Sequence, residues 1–178
     1  MGVVRFPLLF LLCLWGGSLW QEQESIRWEA DRKLSWEDFR GTPPESKRVA
    51  ATTASGISYS YKTTGSPGRY RLDYEVLAYF YPQQSWYHPD LCDPGVLAHE
   101  QLHFDITELY ARRMREILAR KTFGNNVKAE VRRIFRQLNR ELTEFQDRYD
   151  RETDFSRNRE AQGRWNAGIS RKLSETSQ

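Results

Sequence analysis

Apolar residues fall at every second position along residues 70–80, where Tyr70, Leu72, Tyr74, Val76, Ala78 and Phe80 alternate with Arg71, Asp73, Glu75, Leu77 and Tyr79. A period of two places the first set on one face of a half-buried strand. Residues 50–61 are rich in Thr, Ser, Ile and Tyr and read as a second strand, bent at Gly56. Gly65-Ser66-Pro67-Gly68 supplies the turn that joins the two into an antiparallel hairpin. Beyond residue 90 the period changes. Asp93-Pro94 fits a helix cap and first helical position, so one helix is expected over residues 94–121, ended by Gly124-Asn125-Asn126. Val127, Val131, Ile134, Phe135, Leu138, Leu142, Phe145 and Tyr149 then form a stripe at three- and four-residue steps, which predicts a second long helix. A shorter helix carrying Ala161, Trp165 and Ile169 follows, and the polar tail, residues 172–178, is expected to fray. Upstream, Ser35 and Asp38 bracket a short capped turn with Trp36 and Phe39 pointing inward. A small antiparallel sheet, a long helix and further helices predict an α+β domain.

The first residues follow a different pattern. Arg5 precedes an almost unbroken apolar run over residues 6–15, and Gly16, Gly17 and Ser18 are small. That layout predicts a secretory signal peptide, residues 1–18, too short for a comfortable membrane span. The alternatives are an uncleaved anchor or lipidation at Cys13, the latter disfavoured because Phe10-Leu11-Leu12 lacks a small residue before the cysteine. The folded domain is then residues 19–171, in the periplasm or outside the cell. Cys92 is its one cysteine, so no intramolecular disulfide can form. A buried structural thiol is expected there rather than a zinc ligand.

Charge narrows the partners. Twenty-seven basic and 24 acidic residues give a net +3, and the arginine runs over residues 112–120 and 132–140 have Glu116, Glu130 and Glu141 within or beside them. They read as solvated helix faces, which argues against a nucleic-acid partner. A monomer is expected.

The chain has three histidines, and two of them fall in His99-Glu100-Gln101-Leu102-His103, inside the first long helix. At about 100° per residue, positions four apart share a face, so both imidazoles can reach one metal ion. Glu100 is turned to the flank, where it can act as general base on a water at the metal. Zn²⁺ is the expected ion, with three protein ligands in a catalytic site. The third ligand is open. Asp105 and Glu108 are excluded by the helical wheel, at about 240° and 180° from His99. Asp105 reads as a surface carboxylate and Glu108 as a partner of Arg112. His88 could fold back from the preceding loop. Asp150, at the end of the second apolar stripe beside Tyr149, is the first choice, with Glu152, Asp154, Glu141 and Glu144 as competitors.

Trp28, the run Arg32 to Gly41 (RKLSWEDFRG), Ser85-Trp86, residues 97–108 (LAHEQLHFDITE) and Tyr149-Asp150-Arg151-Glu152-Thr153 together resemble a bacterial domain-of-unknown-function family described as predicted secreted zinc-dependent proteases. The resemblance implies a zincin-like fold and export. It also implies a histidine commonly five residues after the Asp, a position held here by Phe155. If that histidine were the third ligand, this chain would have lost it; if Asp150 is the ligand, the change alters only the pocket wall.

The expected function is a secreted or periplasmic zinc peptidase acting on peptide or protein substrates. Tyr149 is a candidate hydrogen-bond donor to the developing oxyanion. The strand over residues 70–81 is expected to offer an edge to an extended peptide. The rivals are a catalytically inactive binding or structural module of the cell envelope, and an amidase acting on cell-wall peptide.

Overall fold

A computed structural model describes residues 24–175, so the expected signal peptide lies outside the described residues. Five strands and three α-helices follow in chain order: β1 (Ile26–Arg27), β2 (Ala51–Thr52), β3 (Ser55–Ser66), β4 (Arg69–Phe80), β5 (Trp86–Tyr87), α1 (Pro94–Arg120), α2 (Val127–Thr153) and α3 (Arg159–Glu175). The fold is α+β, with a small antiparallel sheet and three helices.

β3 and β4 form the expected hairpin, in register from Ser55 opposite Phe80 to Ser66 opposite Arg69. The alternation sorts as the period of two requires: Val76, Ala78 and Phe80 are buried. The tight connection needs Gly65, whose φ of 103° is left-handed and where a Cβ would lie 2.7 Å from the Arg69 carbonyl oxygen.

Two expectations about the strands are corrected. The chain does not bend at Gly56, which stays in register opposite Tyr79. It breaks at Thr53 and Ala54, because Ala54 is pinned on both sides: its N–H donates to Ser85 Oγ (2.9 Å) and its carbonyl accepts from Tyr81 N–H (2.9 Å). The residues before the break form β2, which pairs with β5 instead of β4. Nor is β4 an edge along its whole length. The sheet order is β1-β4-β3, but β1 covers β4 only at Tyr79 and Phe80, so β4 is an edge along part of its length and β3 is the long strand with a free side.

α1 begins as expected. The Asp93 carboxylate accepts from the N–H groups of Gly95 (2.7 Å) and Val96 (2.9 Å), with Pro94 at the first helical position. The sheet packs on one side of this helix and α2 and α3 on another. Thirteen of its residues are buried, five of them in unbroken sequence from Phe104 to Glu108, which leaves little of it facing water. Asp105, expected at the surface, is therefore buried. Its Oδ1 accepts from Trp28 Nε1 (2.7 Å) and Gln101 Nε2 (2.8 Å), while Gln101 Oε1 accepts from the Leu34 N–H (2.7 Å). Gln101 and Asp105, inside and just past the histidine motif, thus clamp the opening segment onto α1.

α2 is amphipathic and buries Val131, Leu138, Leu142 and Tyr149. α3 runs to Glu175, so helix continues past Lys172 where fraying was expected. Leu173 is buried there and its carbonyl accepts from Arg112.

Candidate metal centre

α1 presents His99 and His103 one turn apart, and the apolar stripe of α2 ends at Tyr149, beside which Asp150 reaches both rings. Asp150 Oδ1 lies 3.0 Å from His99 Nε2 and 2.9 Å from His103 Nε2, and the two nitrogens are 3.3 Å apart. Among the described residues, His99, His103 and Asp150 form the one group of metal-ligating side chains whose ligand atoms all lie within 4.8 Å of one another. The side chain of His99 is 5% exposed, that of His103 12% and that of Asp150 26%, so the centre is reached from the surface past Asp150.

The donor set fits a zinc ion. A tetrahedron of 2.0–2.1 Å bonds has edges of about 3.3–3.4 Å, close to the His99–His103 separation. Two imidazole lone pairs and a carboxylate oxygen at such spacing repel unless protons or a cation lie between them. The Glu100 carboxylate is the other sign. It is buried, and its Oε2 has no hydrogen-bond partner among the described residues, a costly arrangement for a group without a task.

Electrostatics agree with the geometry. Burial pushes the Asp150 carboxyl upward, but hydrogen bonds from His103 and His99 outweigh it and hold the group well below the usual carboxylate range. His103 shows the converse: burial disfavours the imidazolium, yet the Asp150 hydrogen bond and the charges of Glu100 and Asp150 raise its pKa above the ordinary value.

Of the competing acids three are engaged elsewhere, and Glu144 is exposed outside the ligand group. Glu152 accepts from Trp165 Nε1 (2.9 Å), Glu141 pairs with Arg113, and Asp154 pairs with Arg157. Glu108 meets Arg112 as expected and also Arg115. His88 is buried edge-on against Trp86 and stands outside the ligand group; its Nε2 is the other unpartnered buried side-chain atom among the described residues. Cys92 is half-buried rather than buried, its thiol donating to the Ala50 carbonyl, and takes no part in the group. Phe155 is 52% exposed on the turn after α2, and the ligand group is complete without it.

Tyr149 does not take the oxyanion-donor geometry expected of it. Its ring stacks on His99 (4.5 Å between centroids, 21° between planes), and its hydroxyl is fully buried, 3.2 Å from the His99 carbonyl and 2.6 Å from Gln162 Nε2. Burial raises its pKa far above that of free tyrosine, so it stays a neutral phenol. Two glutamines were missed. Gln146 donates to the His103 carbonyl (3.2 Å) and to Thr107 Oγ1 (3.2 Å), and lies four residues before Asp150, a spacing that puts the two on one helix face. Gln162 Oε1 lies 2.9 Å from His99 Nδ1, with no local sequence signal to mark it.

A family model described as bacterial protein of unknown function (DUF922) matches residues 30–157. The chain belongs to the DUF922 family. The match takes in Leu34, Gln101 and Asp105 of the clamp but not Trp28, includes the histidine motif and Asp150, and stops before α3. No curated protein and no solved structure matches the chain.

Proposed function

We propose that this DUF922 protein is an exported, zinc-dependent peptidase with a zincin-like arrangement of sheet and metal helix. The observation that carries the reading is the convergence of His99, His103 and Asp150 beside a buried, unpartnered Glu100 carboxylate. His99, His103 and Asp150 would hold the zinc ion, which would supply Lewis-acid polarisation of the scissile carbonyl and make a nearby water more acidic. Glu100 takes one proton from the attacking water as its oxygen bonds to the scissile carbon. It returns that proton to the amine as the C–N bond breaks. Gln101, next to it, does not compete, being engaged with Leu34 and Asp105.

The free side of β3 is the place for an extended peptide. Ser55, its first residue, bonds Thr107 Oγ1 (2.7 Å), one turn along α1 from His103, so the strand starts beside the metal helix. Export rests on the signal-like residues 1–18. Among the described residues no helix is long and apolar enough to cross a membrane.

The test is cleavage of an unstructured protein by the purified chain, with and without a chelator, beside Glu100→Gln. The variant is expected to retain zinc and lose about 100-fold or more in rate, the usual worth of a general base. Undiminished cleavage by Glu100→Gln would refute the proposed chemistry, and absence of cleavage by a zinc-loaded chain would favour the inactive module.

A further inference from the structure

We infer that Gln162 is a positioning residue for the metal centre, its amide oxygen holding His99 in the form protonated at Nδ1 so that the Nε2 lone pair is left for the cation. The inference rests on the zinc reading above and extends the centre to α3, which the family match does not reach.

The argument starts from what each group can donate. Gln162 is 5% exposed, and its Oε1 lies 2.9 Å from His99 Nδ1. An amide oxygen only accepts, so the hydrogen of that bond belongs to the imidazole. The orientation of the amide is fixed from its other end, where Nε2 donates to Tyr149 Oη (2.6 Å) and Asn166 Oδ1 (2.8 Å). The Tyr149 hydroxyl has two acceptors within reach of its own hydrogen, Gln162 Oε1 at 2.9 Å and the His99 carbonyl at 3.2 Å. Through the second the bonds close a circuit: His99 ring to Gln162, Gln162 to Tyr149, and Tyr149 back to the backbone of His99. The stacked phenol holds the plane of the ring while the amide sets which nitrogen carries hydrogen. Reversing the amide would aim Nε2–H at Nδ1 and move the imidazole hydrogen to the nitrogen that faces Asp150.

Metal-ligating histidines usually give their second N–H to a partner of this kind, and loss of that partner costs about 10–100-fold in metal affinity. Here the partner is a neutral amide, which orients the ring without adding a second negative charge beside Asp150.

The experiment compares the full chain with Gln162→Met, which keeps the length of the side chain but removes both amide functions, and Gln162→Glu, which keeps an acceptor oxygen. Zinc affinity is read by chelator competition. Protonation of His99 is read by ¹⁵N NMR of the metal-free protein at neutral to mildly alkaline pH. The expected result is a protected His99 Nδ1–H in wild type, its loss in Gln162→Met with about 10–100-fold weaker zinc binding, and affinity within about threefold of wild type in Gln162→Glu. If Gln162→Met fails to fold, Tyr149→Phe opens the same circuit by removing one hydroxyl and is expected to lower affinity in the same direction. Wild-type protein with His99 protonated only at Nε2 would overturn the inference. So would variants that all bind zinc as tightly as wild type. A wild-type chain that takes up no zinc would sink the metal reading alone, since the NMR comparison still decides whether Gln162 sets the imidazole hydrogen.

Discussion

Asp150→Asn separates ligation from packing, because the amide keeps the shape of the side chain and discards its charge. Without metal, Asp150 Oδ1 accepts from His103 Nε2 at 2.9 Å and lies 3.0 Å from His99 Nε2, with its side chain 26% exposed. Hydrogen bonds to a charged group contribute about 1.5–3 kcal/mol, so the metal-free variant should be less stable by that amount. In a domain of this size that lowers Tm by about 3–10 °C. Metal adds a second, independent effect. At a free zinc concentration of about 100 Kd, binding to the native state stabilises wild type by about 2.7 kcal/mol, a rise of about 5–10 °C. If losing the third ligand weakens affinity about 100-fold, the same zinc concentration equals the new Kd and adds only about 0.4 kcal/mol, or about 1 °C. The assay is a thermal melt of both proteins, each with chelator and with zinc. An equal zinc-induced rise in wild type and Asp150→Asn would refute Asp150 as a ligand, whatever the metal-free melts show.

Glu108→Gln should destabilise by about 2–4 kcal/mol, seen as a lower urea midpoint at unchanged slope. Glu108 is 4% exposed and accepts from Arg112 (2.8 Å) and Arg115 (3.0 and 3.2 Å), and partial exposure of Arg115 places the cost below that of a fully buried pair. At the N-terminus of α1, hydrogen bonds from Val96 N–H and from Arg159 hold the Asp93 carboxyl below its ordinary pKa. Its contribution is therefore complete above the ordinary value of 3.8 and is lost as pH falls through the lower folded value. Asp93→Ala should cost about 0.5–2 kcal/mol near neutrality and remove this acid-limb loss, as followed by circular dichroism.

Local periodicity made the helices and the main hairpin legible. The period of two at residues 70–80, the Asp93-Pro94 cap and the stripe ending at Tyr149 each depend only on neighbours in sequence, and each element stands where they place it. The histidine pair was legible for the same reason. Asp150 was within reach because the residue after a buried stripe position on a packed helix must lie near the facing helix. What was hidden depends on distant partners. Ser85 Oγ, 31 residues away, breaks the strand at Ala54, and Trp28, 77 residues from Asp105, draws that acid inside. The middle position of β4 was illegible because β1 has two residues and carries no periodic signal.

Gln162 was hidden by backbone geometry that its sequence does not advertise. Between α2 and α3 the chain reverses through Asp154, Phe155 and Ser156, all left-handed, with φ of 47°, 50° and 74° and no glycine among them. Each such residue costs about 1–2 kcal/mol, so the turn persists only if the surroundings impose it. They do. The Phe155 N–H donates to the Asp150 carbonyl (2.9 Å), the Asn158 N–H to the Thr153 carbonyl (2.8 Å), and Thr153 Oγ1 to the Tyr149 carbonyl (2.7 Å). Two of these three bonds end on Tyr149 and Asp150, the residues that stack on His99 and bridge the imidazoles. The strained turn is thereby tied to the centre at one end, and at the other it delivers Gln162 to His99 Nδ1. Phe155, left-handed at the middle of this turn, is 52% exposed and stands outside the group formed by His99, His103 and Asp150.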